Sequence, residues 1–490
     1  MRLAELAAQA GLNWPAGGDG PVTGPVTGSV TGFAIDHRKV APGCVFGAFP
    51  GARVNGEDFI PQAVKSGAIA VVARPQARVE GAIHLADPDP RRAFARLAAP
   101  FFSPFPECVA AVTGTNGKTS VAEMTRQLWR MAGHRAASIG TLGITTADGS
   151  EHTGLTTPDI VTFLASMGGL AREGISHVIY EASSHGLSQA RNEGPVVQAG
   201  AFTNLARDHL DYHGDMERYF AAKMRLFDEV VAEGGAAVIW TDGAWSERAC
   251  DHAARRGLRL MTVGEKGETL NLMARKATRL GQDLVIDHAG QSHAIALPLI
   301  GAYQAENALV AAGLVLATGG DAVGTLADLA RLQPVRGRLE RAVIARSGAP
   351  VYVDYAHTAE ALDAAIAALR PHTQDRLIIV FGAGGDRDAG KREPMGEAAA
   401  RGCDVVIVTD DNPRGEDPAT IRAMVREGAP GALDIADRRA AIAAAIAEAG
   451  AGDIVLIAGK GHEQGQITGS GENARMVPFD DVAVARECAA

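Results

Sequence analysis

The sequence predicts an α/β protein built from three domains. Short apolar runs typical of buried strands alternate with Ala-rich stretches typical of helices, most regularly over residues 334–490. Pro-rich segments before residue 105 and the segment LQPVRGR near residue 333 mark two boundaries. A chain of 490 residues is also too long for one ordinary core. We therefore expect domains at 1–105, 106–333 and 334–490.

Composition excludes several protein classes. Hydrophobic residues make up 47% and charged residues 21%, which are ordinary globular values. The net charge of −10 argues against a general nucleic-acid surface. Five cysteines without CxxC spacing fit a reduced, cytoplasmic setting. Glu5 lies where a signal peptide would be apolar, and the longest charge-free helical stretch, 307–320, is shorter than the ~20 residues a membrane span needs.

The elements follow in order along the chain. In 1–105, helical spacing near the start precedes a Val-Thr-Gly repeat at 20–32, which reads as a surface loop, and a strand at 68–73. In 106–333, a strand CVAAVT and a helix flank a Gly-rich loop; strands at 176–181, 199–204 and 235–240 and a helix at 304–318 follow. In 334–490, strands at 351–355, 377–381, 404–409 and 453–458 alternate with helices, which predicts a mainly parallel sheet.

The strongest local signal is the loop TGTNGKT at 113–119, which follows a strand and opens a helix. In a phosphate-binding loop, backbone N–H groups curl around phosphate, Lys118 neutralises its charge, and the Thr119 hydroxyl holds Mg²⁺. The general pattern GxxxxGK[ST] has Gly where this chain has Val112. The alternative is a Gly-rich turn at a helix start.

Downstream polar residues are weaker signals one at a time. Glu181 ends an apolar strand, where it could hold Mg²⁺ or be a solvated strand-end acid. His209 and His213 are four apart, as on one helix face, and zinc is an alternative that lacks a third ligand at sensible spacing. Taken alone, Lys223 is expected only to pack its aliphatic chain on an apolar surface and to keep its ammonium in water.

Three polar loops follow strands of the last third: GAGGDRD, DDNPR and GKGHE. Strand ends of a parallel sheet meet at one edge, so these loops converge. Arg387, Arg414 and Glu463 offer both charges, which suits a zwitterionic ligand. The alternative is three ordinary strand-to-helix turns.

The strings TGTNGKT, EASSHGL, TNLARDHLDYHG, GAYQAENALVA, RGRLE, DYAHT, GAGGDRD, TDDNPR and AGKGHE occur in that order. This series resembles the Mur ligases of peptidoglycan synthesis and, within that family, the members that add meso-diaminopimelate. The resemblance runs from Ile35 and Asp36 to Glu463. It implies a small amino-terminal α/β UDP-binding domain, a central P-loop mononucleotide-binding domain and a carboxy-terminal Rossmann-like domain.

The activity implied by the resemblance is ATP-dependent amide ligation. The glutamyl carboxylate of UDP-MurNAc-L-Ala-D-Glu attacks the γ-phosphate of ATP, and the amine of meso-diaminopimelate then displaces phosphate from the acyl phosphate. Catalysis is then mostly positioning and charge neutralisation, with ATP and Mg²⁺ required. A monomer is expected.

The resemblance also implies roles for individual residues. ATP contacts are Gly114, Thr115, Asn116, Gly117, Lys118, Thr119, Ser120, Asn307, Arg338 and Asp354. Catalytic residues are Lys118, Glu181, His209 and Lys223, and Mg²⁺ ligands are Thr119, Glu181, His209 and Lys223 as its carbamate (N6-carboxylysine). An ammonium cannot ligate Mg²⁺, whereas a carbamate can.

Substrate contacts are implied in the same way. The UDP-sugar peptide is held by Ile35, His37, Thr156, Thr157, Ser183, Gln189 and Arg191. Diaminopimelate is held by Arg387, Asp411, Asn412, Pro413, Arg414, Gly459 and Glu463. Two points bear on specificity: His37 stands where the family commonly has Ser, and Arg at position 414 goes with the distal carboxylate that lysine lacks.

Other functions remain open at this point. A lysine-adding relative or a folylpolyglutamate synthetase would share the phosphate loop, although the DNPR and GKGHE loops and the amino-terminal domain speak against the latter. A P-loop regulatory ATPase would hydrolyse nucleotide without an acceptor and leaves the carboxy-terminal charged loops unexplained. An inactive homologue is disfavoured because Lys118, Glu181, His209 and Lys223 are all present.

Overall fold

The computed structural model describes residues 1–12, 29–51, 54–151, 156–386 and 388–490. The chain forms two compact units. The first comprises Met1–Val263 with Gly313–Asp321, and the second comprises Gly264–Ala312 with Ala322–Ala490. The α/β class predicted from the sequence is confirmed, since parallel strands alternate with helices in both units.

The first unit begins with a small parallel sheet in the order β1-β2-β3-β4. A cluster of aromatic rings fills its core: the Phe33 and Phe94 rings meet edge to face at 5.5 Å, and so do those of Phe49 and Phe94 at 5.4 Å. The elements are α1 (Leu3–Gln9), β1 (Gly32–Ala34), β2 (Cys44–Gly47), α2 (Ile60–Lys65), β3 (Ala70–Ala73), β4 (Ile83–Ala86) and α3 (Pro90–Phe102).

The larger sheet of the first unit has six parallel strands in the order β12-β11-β10-β5-β9-β6, extended by antiparallel β7 and β8. Its elements are β5 (Cys108–Thr113), α4 (Lys118–Met131), β6 (Ala136–Gly140), β7 (Gly143–Thr145), β8 (Ser150–Glu151), α5 (Ile160–Arg172), β9 (His177–Glu181), α6 (Ser184–Ser188), β10 (Val197–Phe202), α7 (Leu210–His213), α8 (Met216–Arg225), β11 (Val231–Trp240), α9 (Ser246–Arg255) and β12 (Arg259–Gly264). β5, at the centre, is buried along nearly its whole length, as the unbroken apolar run CVAAVT predicts.

The second unit has an antiparallel sheet of β13, β14 and β15 and a six-stranded sheet in the order β16-β17-β21-β18-β19-β20, which is parallel except at β16. Its elements are β13 (Leu270–Thr278), β14 (Gly281–His288), β15 (Gln291–Leu297), α10 (Ala302–Ala317), α11 (Ala322–Asp328), β16 (Glu340–Ile344), β17 (Pro350–Asp354), α12 (Ala359–Leu369), β18 (Leu377–Phe381), α13 (Arg392–Gly402), β19 (Val405–Val408), α14 (Pro418–Glu427), β20 (Leu433–Asp434), α15 (Arg438–Glu448), β21 (Ile454–Ala458), β22 (Gly465–Thr468), β23 (Arg475–Pro478) and α16 (Asp481–Ala489). The last residues of α10 belong to the first unit.

Side-chain caps define where several helices begin. The carboxylate of Asp159 accepts hydrogen bonds from backbone N–H groups at the start of α5, and Asp417 and Asp437 do the same for α14 and α15. One helix is also anchored by a buried ion pair: Arg438 Nε and Nη2 each donate to a carboxylate oxygen of Asp481 at 2.7 Å, so α15 holds α16. Both side chains are fully buried.

The predicted elements agree with the structure within a few residues. The strand predicted at 377–381 has those bounds, whereas the one predicted at 199–204 lies at Val197–Phe202. The antiparallel strands β13 to β15 and the β22–β23 hairpin were not anticipated. The predicted repeat loop at 20–32 lies mostly outside the described residues. In the described part of the chain, no helix is both long and apolar enough to cross a membrane.

Candidate functional site

The loop between β5 and α4 has a backbone that requires glycine. Gly114 has φ of +147°, and a Cβ there would overlap the Thr203 hydroxyl. Gly117 has φ of +87° and is the residue before the first turn of α4. Thr203 donates to the Asn116 carbonyl at 2.6 Å, so the end of β10 anchors the loop. Val112, where the general motif has Gly, lies within β5 and is buried.

Two lysines converge on one carbonyl of this loop. Lys118 Nζ donates to the carbonyl oxygens of Gly114 and Thr115 at 2.9 and 2.8 Å. Lys223 Nζ, from α8, donates to the same Gly114 oxygen at 2.6 Å and lies 4.5 Å from the Tyr219 ring centroid. Lys223 is only 1% exposed. Burial, followed by the charge of Lys118, lowers the pKa of Lys223 well below its ordinary value, which favours the neutral amine.

Glu181 ends β9 and is buried beside the start of α4. Its Oε1 accepts a hydrogen bond from the Thr141 backbone N–H at 2.7 Å. A Cβ at Gly140 would overlap its carboxylate, so glycine leaves room for the acid. Glu181 lines a small cleft that Thr119 and Ser138 also line. Thr119 and Glu181, which the resemblance gives as Mg²⁺ ligands, therefore line the same cleft.

The two histidines expected on one helix face have different surroundings. His209 precedes α7 with φ of +53°, is half exposed, and its Nε2 is 3.3 Å from Asp208 Oδ2. His213 ends α7, and its Nε2 lies 2.9 Å from Ser184 Oγ in a buried contact. Across the described ranges, which omit 13–28, 52–53, 152–155 and 387, no group of three or more His, Cys, Asp or Glu side chains is arranged to hold a metal.

A strip of hydrogen-bonded polar residues runs on from Glu181. The Thr157 hydroxyl donates to the Glu181 carbonyl at 2.8 Å and lies 2.9 Å from the Ser183 hydroxyl. Arg191 donates to the Thr157 carbonyl at 3.1 Å and to Gln189 Oε1 at 2.7 Å. The Thr156 hydroxyl also joins this strip, because it lies 3.1 Å from the hydroxyl of Thr141, whose backbone N–H binds Glu181. Five predicted substrate contacts thus lie in one network.

A cavity of about 650 Å³ lies in the first unit, lined by Ile35 and His37 among others. The His37 imidazole stacks on the Phe59 ring with centroids 4.4 Å apart and planes 7° from parallel. Beside it, the guanidinium of Arg38 holds the pKa of Asp36 at about 2. His37, at the position where the family commonly has Ser, therefore places a flat aromatic ring at this cavity.

The three remaining predicted nucleotide contacts lie in the second unit. Asp354, at the end of β17, accepts hydrogen bonds from the backbone N–H groups of Leu339 and Ala356 at 2.7 and 2.8 Å. Burial raises its pKa, against the opposing charge of Arg338. Gln304, which the sequence analysis did not single out, donates to the Arg338 carbonyl at 3.0 Å and accepts from Asn307 at 3.3 Å.

The DNPR loop is fixed by its neighbours. Arg414 has φ of +50°, and its Nη1 donates to the Gly385 carbonyl at 2.9 Å. A Cβ at Gly385 would overlap the Pro413 carbonyl, so the GAGG loop must carry glycine to pack here. Arg387, predicted in the same group, lies outside the described residues.

A lysine that the sequence analysis missed connects this loop to the GKGHE loop. Lys460 is fully buried, with Nζ 3.2 Å from Asp411 Oδ1 and 3.0 Å from Asn412 Oδ1. Asn412 Nδ2 in turn donates to Glu463 Oε2 at 2.9 Å. The sequence did contain a signal for this residue: Lys460 lies between two glycines in a loop that follows a strand, close to Glu463. Of the predicted diaminopimelate contacts, Asp411, Asn412 and Glu463 are thus brought together, and Gly459 adjoins Lys460.

Sequence comparison covers all three parts of the chain. Residues 29–102 match the description "Mur ligase family, catalytic domain", residues 112–315 match "Mur ligase middle domain", and residues 337–461 match "Mur ligase, glutamate ligase domain". The predicted three-domain α/β fold agrees with these matches. The predicted boundaries at 105 and 333 stay predictions.

Curated relatives are similar over nearly the whole chain. A Zymomonas mobilis protein named UDP-N-acetylmuramoyl-L-alanyl-D-glutamate–2,6-diaminopimelate ligase is 62% identical over 93% of this chain and 94% of its own. Bradyrhizobium diazoefficiens and Mesorhizobium japonicum proteins of the same name are 50% and 47% identical, over 91% and 100% of this chain and 92% and 100% of their own.

Solved structures give the same result for the fold. One titled as a UDP-N-acetylmuramoyl-L-alanyl-D-glutamate–2,6-diaminopimelate ligase superposes with a TM-score of 0.70 at 33% identity, covering 93% of this chain and 94% of its own. MurF from Acinetobacter baumannii, at 17% identity, has a TM-score of 0.60 over 96% and 95% of the two chains, which bears on the fold alone. On the matched domains and on this degree of identity, the chain belongs to the Mur ligase family.

Proposed function

We propose that this chain joins meso-diaminopimelate to the D-glutamate of UDP-MurNAc-L-Ala-D-Glu, with ATP converted to ADP and phosphate, in peptidoglycan synthesis. The names of the relatives at 62% and 50% identity support this reaction. One observation carries the choice of amino acid. Arg414 lies in the same loop as Asp411 and Asn412, and hydrogen bonds to Glu463 and to the Gly385 carbonyl fix the conformation of that loop. A guanidinium suits the distal carboxylate of diaminopimelate, which lysine lacks.

The chemistry follows from the poor reactivity of a carboxylate toward an amine. A glutamyl carboxylate oxygen bonds to the γ-phosphorus of ATP, and the bond to the ADP oxygen breaks. The amino group then bonds to the acyl carbon, loses a proton, and phosphate leaves with the electron pair of the broken C–O bond. The loop of residues 114–120 would bind the triphosphate through its backbone N–H groups and Lys118, with Asn307, Arg338 and Asp354 as further nucleotide contacts.

The donor set fits Mg²⁺. Thr119 and Glu181 offer hard oxygen ligands on one cleft, the kind that Mg²⁺ prefers. His209 and a carbamate on Lys223 would add ligands. When bound, Mg²⁺ supplies positive charge that offsets the charge on phosphate oxygens. Because few carboxylate side chains line this cleft, other oxygen ligands would complete the coordination shell of Mg²⁺, among them the carbamate and the phosphate oxygens of ATP.

The surroundings of Lys223 support its carbamylation. Only a neutral amine attacks carbon dioxide, and burial lowers the pKa of Lys223 well below the ordinary lysine value. The product carries a negative charge within reach of the Lys118 ammonium, since both nitrogens bond to the Gly114 carbonyl. The modification therefore replaces a neutral amine by a negative charge that attracts the Lys118 ammonium.

The UDP-sugar peptide would lie between two groups of residues in the first unit. The cavity at Ile35 and His37 would take the uridine, and the His37 imidazole can both donate a hydrogen bond and stack. The strip formed by Thr156, Thr157, Ser183, Gln189 and Arg191 offers hydroxyl, amide and guanidinium groups for the sugar and peptide. A monomeric, cytoplasmic enzyme remains a prediction of the sequence.

ADP release from ATP, Mg²⁺ and UDP-MurNAc-L-Ala-D-Glu tests the proposal, with meso-diaminopimelate and L-lysine supplied in parallel reactions. Release only with diaminopimelate is the expected result. Equal turnover with lysine would keep the ligase and overturn the assignment of Arg414. ADP release independent of any amino acid would instead favour a regulatory ATPase.

A further inference from the structure

The end of the second unit's parallel sheet contains one buried ammonium that joins two loops. Lys460 follows β21, and the DNPR loop follows β19; β18 lies between these strands, so the loops start roughly 10 Å apart. The Lys460 side chain crosses this gap at 0% exposure. Gly459 leaves room for the Asp411 carboxylate that this side chain meets, because a Cβ there would lie 2.7 Å from Asp411 Oδ2.

The Asn412 amide is oriented by this lysine. Its Oδ1 accepts from Lys460 Nζ at 3.0 Å and from the Ile467 backbone N–H at 2.9 Å. If the Asn412 amide were flipped, its NH₂ group would face two other donors, Lys460 Nζ and the Ile467 N–H. The amide oxygen must therefore face Lys460. Nδ2 therefore points the other way, where it donates to Glu463 Oε2 at 2.9 Å.

Within 3.5 Å of the Lys460 nitrogen, two carboxylates outnumber the one ammonium. Asp411 and Glu463 lie 3.2 and 3.5 Å from its Nζ, so one ammonium is shared by two carboxylates. The nearby Arg438 is neutralised by its own buried pair with Asp481. The Glu463 side chain is 36% exposed, so its carboxylate also faces solvent. Such a site attracts an ammonium while the buried lysine prevents the two acids from repelling each other.

We propose that Lys460 is a positioning residue for the amino-acid substrate: it holds Asn412 and Glu463 in the orientation that receives the diaminopimelate ammonium. This inference rests on the proposed ligase function. Lys460 does not touch the reacting atoms. Its loss is expected to weaken amino-acid binding and to leave the ATP and UDP-sugar sites, in other parts of the chain, unchanged.

Steady-state kinetics with each of the three substrates varied in turn tests the role. For K460M and K460Q we expect the KM for diaminopimelate to rise on the order of 10- to 100-fold, the size typical of a lost buried charged hydrogen bond. The KM values for ATP and UDP-MurNAc-L-Ala-D-Glu should stay within about twofold of the parent. Lys460→Gln, which keeps a donor for Asn412, should be the milder change.

Arg439→Met is the matched control, because it removes a basic side chain from the same domain whose ion pair with Glu487 is exposed. It should leave all three KM values unchanged. The double variant K460Q with E463Q adds a second test: if Lys460 acts through Glu463, the combined rise in KM is smaller than the product of the single rises.

Three results would overturn the inference: an unchanged KM for diaminopimelate in Lys460→Gln, equal rises in all three KM values, or failure of both Lys460 variants to fold. The last two indicate a purely structural lysine. A parent enzyme that does not turn over diaminopimelate would instead refute the proposed function, so the two failures are distinguishable.

Discussion

Replacing Lys223 by Ala removes one of the two amines on the Gly114 carbonyl. Their hydrogen bonds to that oxygen, at 2.9 and 2.6 Å, put the nitrogens of Lys118 and Lys223 within about 5.5 Å of each other. At an effective dielectric of about 20, a carbamate at that distance attracts the Lys118 ammonium by about 3 kcal/mol, whereas the neutral amine has no charge to contribute. The electrostatic change at the phosphate site is therefore large.

We expect Lys223→Ala to lower ADP release on the order of 10²- to 10³-fold, the loss typical of removing one oriented electrostatic group. Acetate should restore part of the activity by occupying the place of the carbamate. Removing dissolved carbon dioxide should likewise slow the parent enzyme and not the variant. Arg225→Ala is the control, since Arg225 lies on the same helix and pairs with Glu229 at 2.7 Å. A Lys223→Ala enzyme of full activity without acetate would refute the reasoning.

Four further predictions follow from described contacts. Gly114→Ala should abolish nucleotide binding, measured by calorimetric titration, and should lower the free energy of unfolding by about 1–3 kcal/mol. The reason is that residue 114 has a positive φ and that the new Cβ would overlap the Thr203 hydroxyl. Arg414→Ala should lower kcat/KM for diaminopimelate on the order of 10²-fold and barely change that for lysine, in the same ADP assay. Asp36→Asn should destabilise the protein at pH 7; since folding lowers the pKa of Asp36 to about 2, chemical denaturation should show this difference vanishing as pH falls from about 4 to about 2. Asp481→Ala should cost about 3–5 kcal/mol in urea unfolding, because it leaves Arg438 buried and unpaired; unchanged stability would contradict this.

The phosphate loop could be predicted from sequence because its chemistry is local. Strand, glycines, Lys118 and Thr119 are contiguous, and β5 is apolar enough to be recognised as buried. Glu181 was predictable for a similar reason, since it ends a strand of unbroken apolar character. In these cases neighbouring residues determine both the backbone and the position of the side chain.

The environments of Lys223 and Lys460 could not be predicted because they depend on distant residues. Lys223 reaches a carbonyl 109 positions away, and nothing in the YFAAKMRLF segment indicates that partner. Lys460 meets Asp411 and Asn412 across 49 and 48 positions. The left-handed backbone at His209 was missed because four-residue spacing alone suggested a helix face. Such features need the strand order, which a single sequence does not provide.

The Arg438–Asp481 pair has a consequence for how the protein is made. Arg438 lies on α15, yet its counter-charge lies on α16, 43 positions later. A nascent chain that has emerged from the ribosome only as far as α15 cannot bury this guanidinium without a large penalty. The six-stranded sheet should therefore close late, after synthesis has passed residue 489. Shortened chains that lack α16 should be recognised as unfolded and degraded, even though every residue proposed to bind substrate is present.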